Sequence, residues 1–160
     1  MLAGKTGIRF TEDEKNAPGP LYASLLEPSL LDEKFAVLDD PCNFTRFEKL
    51  AISSIHGTLS GADIDAADPK TLFILSTTKG NIDILENENE LKFGKERVYL
   101  WNTARLIQRY FGFVHEPVIV SNACISGVQA IITGARLIRA GLFENVIING
   151  TDIITEFVVS

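Results

Sequence analysis

The apolar positions of this chain change period several times, and each change marks an element. Up to about residue 45 no period holds. Four prolines (Pro18, Pro20, Pro28, Pro41) and the acidic run Glu12-Asp13-Glu14 interrupt this stretch, which predicts mostly irregular structure with short helical pieces. From Thr45 onward, Phe47, Leu50, Ala51, Ile55 and Leu59 recur three or four apart, the spacing of one helix face. Thr45 with Glu48 three residues later is a capping-box pattern, and Gly57 and Gly61 weaken the far end. Residues 69–78, PKTLFILSTT, then read as a buried strand: proline at entry, a short apolar run, small hydroxyls at exit.

The stretch NIDILENENELKFG (81–94) is polar and turn-rich and reads as an exposed excursion. Residues 97–111 return to helical spacing, with Val98, Trp101, Ala104 or Arg105, Ile107 or Gln108, and Phe111 near one stripe and Gly112 as stop. PVIVS (117–121) is a second buried strand. SGVQAIITGARLIRAGL (126–142) is an amphipathic helix with Val128, Ile131, Ile132, Ala135, Ile138 and Leu142 on one face and Gly141 at its C-terminal end. NVIINGTD (145–152) is a third buried strand. From residue 45 to 160 the order is αβαβαβ, which predicts a parallel-rich sheet with flanking helices and right-handed crossovers. Residues 1–44 form an irregular lead-in.

Composition narrows the function classes. The chain has 160 residues, 46% of them hydrophobic, which is enough for a core. A formal net charge of −6 argues against a nucleic-acid partner, which needs a basic face. The longest apolar runs fall short of a membrane span. Met1 to Lys5 lack the apolar core of a secretory signal. These features predict a cytoplasmic protein with reduced thiols. The two Asn-x-Thr matches, at Asn43 and Asn149, are then chance occurrences. Cys42 and Cys124 lie far apart and fit no zinc spacing.

The two cysteines read differently. Cys124 falls between the end of a buried strand and the first turn of the following helix. In open α/β sheets, chemistry gathers at the carboxyl ends of strands. Helix N–H groups and the positive end of the helix dipole converge there, which favours a thiolate and can hold an oxyanion. Ser126 and Gly127, small residues just after it, permit a sharp turn and leave room for a substrate carbonyl. Position alone leaves catalysis and a buried, inert thiol about equally favoured. Cys42 sits in a proline-marked loop and reads as structural.

The segment SNACISGVQAI…ARLIRAGLFENVIINGTD resembles the nucleophile region of thiolase-fold condensing enzymes, in which a catalytic Cys follows an apolar strand. LAGKTGIRF, at residues 2–10, resembles an opening found in β-ketoacyl-[acyl carrier protein] synthases. The resemblance is strong around 118–152, moderate at 2–10 and 45–76, and weak between. It implies a partial thiolase-like fold, with Cys124 as the catalytic nucleophile. It implies decarboxylative Claisen condensation of an acyl group held on Cys124 with malonyl-carrier protein, in fatty acid or polyketide synthesis. Neither a metal nor a redox cofactor is implied. Acyl carrier protein thioesters are the implied partners, with a homodimer or a partner synthase subunit.

Family members are more than twice as long, and their second half supplies two histidines and a lysine. On this reading the chain is a fragment of the N-terminal half that lacks its first strand, poorly active alone and exposing apolar surface. His56 and His115 match no family histidine motif and read as structural. The family's Gly-rich turn is replaced here by Ser76-Thr77-Thr78-Lys79-Gly80-Asn81, which puts a lysine where the acyl pocket would be bordered. A buried unpaired Lys79 is costly, so it should point outward or pair with a carboxylate. Arg105, Arg109, Arg136 and Arg139 could meet an acidic carrier protein, and a solvated helix face explains them equally well. Two alternatives stand beside the synthase reading: an acetyl-CoA thiolase-type acyltransferase, and a non-catalytic subunit that sets chain length or supports a partner.

Overall fold

A computed structural model describes residues 6–12, 19–86 and 92–155. Its centre is a three-stranded parallel sheet in the order β4–β3–β5, formed by β3 (Thr71–Ser76), β4 (Val118–Val120) and β5 (Asn145–Gly150). Three helices flank it: α2 (Arg46–Ser60), α3 (Leu100–Phe111) and α4 (Ser126–Arg139). The chain is therefore α/β, and the alternation expected from residue 45 onward is present element by element. The register pairs Ile74 with Val118 and with Ile148, so β3 is bonded on both edges. All six β3 residues are buried, which is why its sequence shows an unbroken apolar run rather than an alternation.

The lead-in is more ordered than its sequence suggests. β1 (Arg9–Thr11) and β2 (Leu21–Ala23) pair antiparallel, and α1 (Pro28–Phe35) carries a proline in its first turn. The strands are three residues each, too short to show a period. Leu31 and Phe35 anchor α1 against α2, and Lys49 of α2 forms an ion pair with Asp32 of α1.

The main core lies between β3 and the helices α2 and α3. Phe47, Ile52, Ile55, Phe73, Leu75 and Ile107 are all at most 1% exposed. Each such side chain contributes roughly 1.5–3 kcal/mol of burial. Phe73 stacks on Phe113 with ring centroids 5.2 Å apart. Trp101, expected on the buried stripe of α3, is 49% exposed, and Thr103 takes its place in the interior. Helix α3 begins at Leu100, and Val98 belongs to a preceding 3₁₀ turn (Lys95–Val98), so the stripe read across that boundary drifts off the true face.

Helix α4 reverses the expectation more completely. The residues against the sheet are Ser126, Ala130 and Gly134, all small and all buried. A Cβ added at Gly134 would lie 3.1 Å from Val146 Cγ1 on β5, so the helix approaches the sheet as closely as it does because there is no side chain there. The large apolar residues Val128, Ile131, Ile132, Ile138 and Leu142 point outward and are 43–61% exposed. Among the described residues, no helix is long and apolar enough to cross a membrane.

The polar excursion after β3 is partly internal. Gly80 has φ +55°, and a Cβ there would fall 2.6 Å from Leu100 Cδ2. The next residue, Asn81, is fully buried and Ile84 is 1% exposed. Glu48, also fully buried, completes the predicted capping box with Thr45 and meets Arg97 through Nε–Oε1 (3.0 Å) and Nη2–Oε2 (2.5 Å). Asn81 Nδ2 lies 3.0–3.1 Å from Glu48 Oε1, Arg97 O and Thr103 Oγ1, and Thr45 Oγ1 donates to Asn81 Oδ1 at 2.5 Å. One buried network thus ties the α2 N-terminus to the loop and to α3. The Glu88–Glu90 part of the excursion lies outside the described residues.

Candidate functional site

Cys124 lies in a short 3₁₀ turn (Ala123–Ile125) between the carboxyl end of β4 and the start of α4. The five residues from Ser121 to Ile125 are exposed, the thiol among them. This is the corner expected from sequence, and Cys124 is neither within a strand nor along a helix.

The turn is built from three features. Ala123 has φ +44°, the one described residue other than glycine with a positive φ. That left-handed conformation costs an L-residue about 1–2 kcal/mol, so the surrounding bonds must hold it in place. Ser126 does so. Its hydroxyl accepts from Asn122 N at 2.8 Å and donates to Ala123 O at 2.8 Å, closing the turn from inside. Asn122 Nδ2 donates to Gln129 Oε1 at 2.9 Å and braces the 3₁₀ turn against the first turn of α4. Sequence reasoning valued Ser126 for its size alone. Its hydroxyl is the clamp, and the signal was available, because a buried Ser at a helix start commonly bonds nearby backbone.

The N–H groups of Ile125 and Ser126 are used in closing the turn, to Asn122 O (3.2 Å) and Ala123 O. No side chain caps α4, so its positively polarised end is left open at the corner that carries the thiol.

Neither histidine shares this corner. His115 precedes β4, at the opposite end of the sheet from Cys124. Its Nε2 lies 2.7 Å from Pro69 O, and its ring meets Phe143 edge-on at 5.1 Å. His56 is exposed near the C-terminal end of α2. Cys42 is also exposed, in a 3₁₀ turn (Pro41–Asn43) where Asp40 Oδ1 accepts its backbone N–H at 2.9 Å. The structure therefore offers two accessible thiols in different settings.

The carboxyl edge of the sheet is cross-linked beside the site. Asp152, just past β5, accepts from Thr77 Oγ1 (2.8 Å), Thr78 Oγ1 (3.2 Å) and Thr78 N (3.3 Å), just past β3. Lys79 is half-buried and engaged by a neighbour. Of the four arginines considered as a docking patch, Arg105 pairs with Glu116 at 2.9 Å and lies 5.6 Å from the Trp101 ring. Arg109, Arg136 and Arg139 are exposed. β5, expected to be a buried strand, is an edge strand of the described sheet, with Ile147 and Asn149 buried and its other residues at least partly exposed.

The chain matches no family model and no curated protein.

Proposed function

We propose that this chain carries the acyl-accepting cysteine of a β-ketoacyl synthase-type condensing enzyme, with Cys124 as nucleophile. The observation that carries the reading is the exposed thiol on a clamped, left-handed turn where a parallel strand hands over to a helix. The sequence resemblance around 118–152 points to the same residue.

In this mechanism the Cys124 thiolate attacks the carbonyl carbon of an acyl-carrier thioester. A tetrahedral oxyanion forms against the open end of α4, the carrier thiolate leaves, and the acyl group remains on Sγ. Malonyl-carrier protein then loses CO2. The electron pair released at the α-carbon forms the new carbon–carbon bond at the acyl carbonyl, and Cys124 is freed as thiolate. The product is a β-ketoacyl thioester. The described histidines stand away from the thiol, so the proposal gives this chain the acyl-transfer half and draws the decarboxylation groups from outside the described residues.

The test is acylation. The protein is incubated with a medium-chain acyl-carrier thioester, digested and mapped by mass spectrometry. The acyl mass is expected on the peptide containing Cys124 and is expected to be lost in Cys124→Ala. Acyl mass on Cys42 instead, or unchanged labelling in Cys124→Ala, overturns the assignment. A protein that accepts no acyl group from any thioester supports the non-catalytic subunit reading instead.

A further inference from the structure

One side-chain oxygen holds both flanks of the strained residue beside Cys124. Ala123 is left-handed at φ +44°. The Ser126 hydroxyl accepts from Asn122 N, before that residue, and donates to Ala123 O, after it, each at 2.8 Å. Returning Ala123 to a negative φ separates these two groups, so Ser126 opposes the relaxation directly. Two other contacts bear on the turn, and both are weaker. Ile125 N reaches Asn122 O at 3.2 Å, between exposed residues. Asn122 Nδ2 to Gln129 Oε1 also joins exposed residues, where water competes. Ser126 is 5% exposed, and water does not readily replace its hydroxyl.

Packing does not explain that hydroxyl. The inner face of α4 consists of Ser126, Ala130 and Gly134. The sheet asks only for small residues there, and alanine meets the need at position 130. Both bonds of the Ser126 hydroxyl run into the turn.

We propose that Ser126 is a positioning residue for Cys124. Its hydroxyl, acting through left-handed Ala123, fixes the thiol at the open end of α4. The inference rests on the reading of Cys124 as nucleophile and adds the side chain that prepares it. Without the hydroxyl, Ala123 relaxes toward negative φ, which an L-residue prefers by about tenfold in population. The thiol then spends most of its time away from the polarised helix end.

The probe is limiting iodoacetamide at neutral pH, applied to the full chain. Alkylation of Cys124 and Cys42 is followed in one sample by peptide mass spectrometry, and circular dichroism shows whether each variant is folded. Ser126→Ala should slow Cys124 about tenfold and leave Cys42 unchanged. Adding Ala123→Gly to Ser126→Ala should restore most of the rate, because glycine takes a positive φ without strain and needs no clamp. A general loss of packing would not be repaired that way. Gln129→Ala should change the rate little. Ala123→Val, made at an exposed residue with the clamp intact, should also slow Cys124, since a β-branched residue resists φ +44°. It carries the test if Ser126→Ala does not fold.

The proposal is overturned if folded Ser126→Ala or Ala123→Val is alkylated at Cys124 as fast as the parent. It is equally overturned if Ala123→Gly restores nothing, or if Gln129→Ala loses as much as Ser126→Ala. The parent's own ratio of Cys124 to Cys42 tests the nucleophile reading. The ratio of Ser126→Ala to parent at Cys124 tests the clamp, so the two can fail separately.

Discussion

Replacing Arg97 with methionine should unfold this protein far more readily than a surface-charge substitution does. The Glu48 side chain is fully buried, and four donors surround its carboxylate. Oε1 receives Asn81 Nδ2 and Arg97 Nε, both at 3.0 Å. Oε2 receives Thr45 N at 2.9 Å and Arg97 Nη2 at 2.5 Å. Methionine removes two of the four donors and the only cation in contact with the carboxylate among the described ion pairs. Breaking a buried pair in this way costs about 3–5 kcal/mol, because one charge is left unmatched. A small domain has only about 5–15 kcal/mol in total. Arg97 also donates to Asn43 O at 3.3 Å and lies 5.4 Å from the Phe93 ring, so packing is lost as well.

The assay is urea denaturation followed by circular dichroism, for Arg97→Met, Glu48→Gln and the double variant. Arg97→Met should lose about 3–5 kcal/mol. Glu48→Gln should lose less, since Arg97 is 20% exposed and can reach water. The double variant should lose clearly less than the sum of the two, the mark of a direct interaction. A loss below about 1 kcal/mol for Arg97→Met, typical of an exposed pair, would refute the argument.

Other outcomes follow from single contacts. Asp83→Asn should raise stability at pH 7, and urea titrations at several pH values should show the gain vanishing in acid. The sign follows from its carboxyl, which burial first and the nearby Glu86 second hold above the ordinary range: the stability Asp83 contributes is full below the ordinary carboxylate value of 3.8 and is lost as pH rises through its folded value. Gly80→Ala should cost about 2 kcal/mol in the same assay, from left-handed strain plus the 2.6 Å approach to Leu100 Cδ2, and adding Leu100→Ala should recover only the steric share. Gly134→Leu should lower the melting temperature by several degrees, since overpacking against Val146 costs about 1–3 kcal/mol. Ala123→Gly should be tolerated within about 1 kcal/mol, whereas Ala123→Val should be markedly worse, because a β-branched residue tolerates φ +44° poorly.

The parts of the fold that could be read from sequence are those that rest on one clear period. β3 shows because it is buried on both faces, and α2 because its capping box and its stripe agree. Helix α4 was located correctly, yet its inner face was not. Periodicity reports where large apolar residues fall, and here the sheet selects the small ones, Ser126, Ala130 and Gly134. β1 and β2 were invisible because three residues cannot establish an alternation. At the site, the place of Cys124 was legible from the strand–helix boundary. The left-handed Ala123 was not, since nothing in an alanine announces a positive φ.

The account turns on whether the corner makes Cys124 different from an ordinary accessible thiol, and the chain supplies its own control. Both cysteines are exposed and free. Limiting iodoacetamide at neutral pH, with peptide-level quantitation over time, compares them in one sample. Cys124 should be alkylated about tenfold faster than Cys42. Equal rates, or a faster Cys42, would contradict the claim that the strand-to-helix turn prepares a nucleophile.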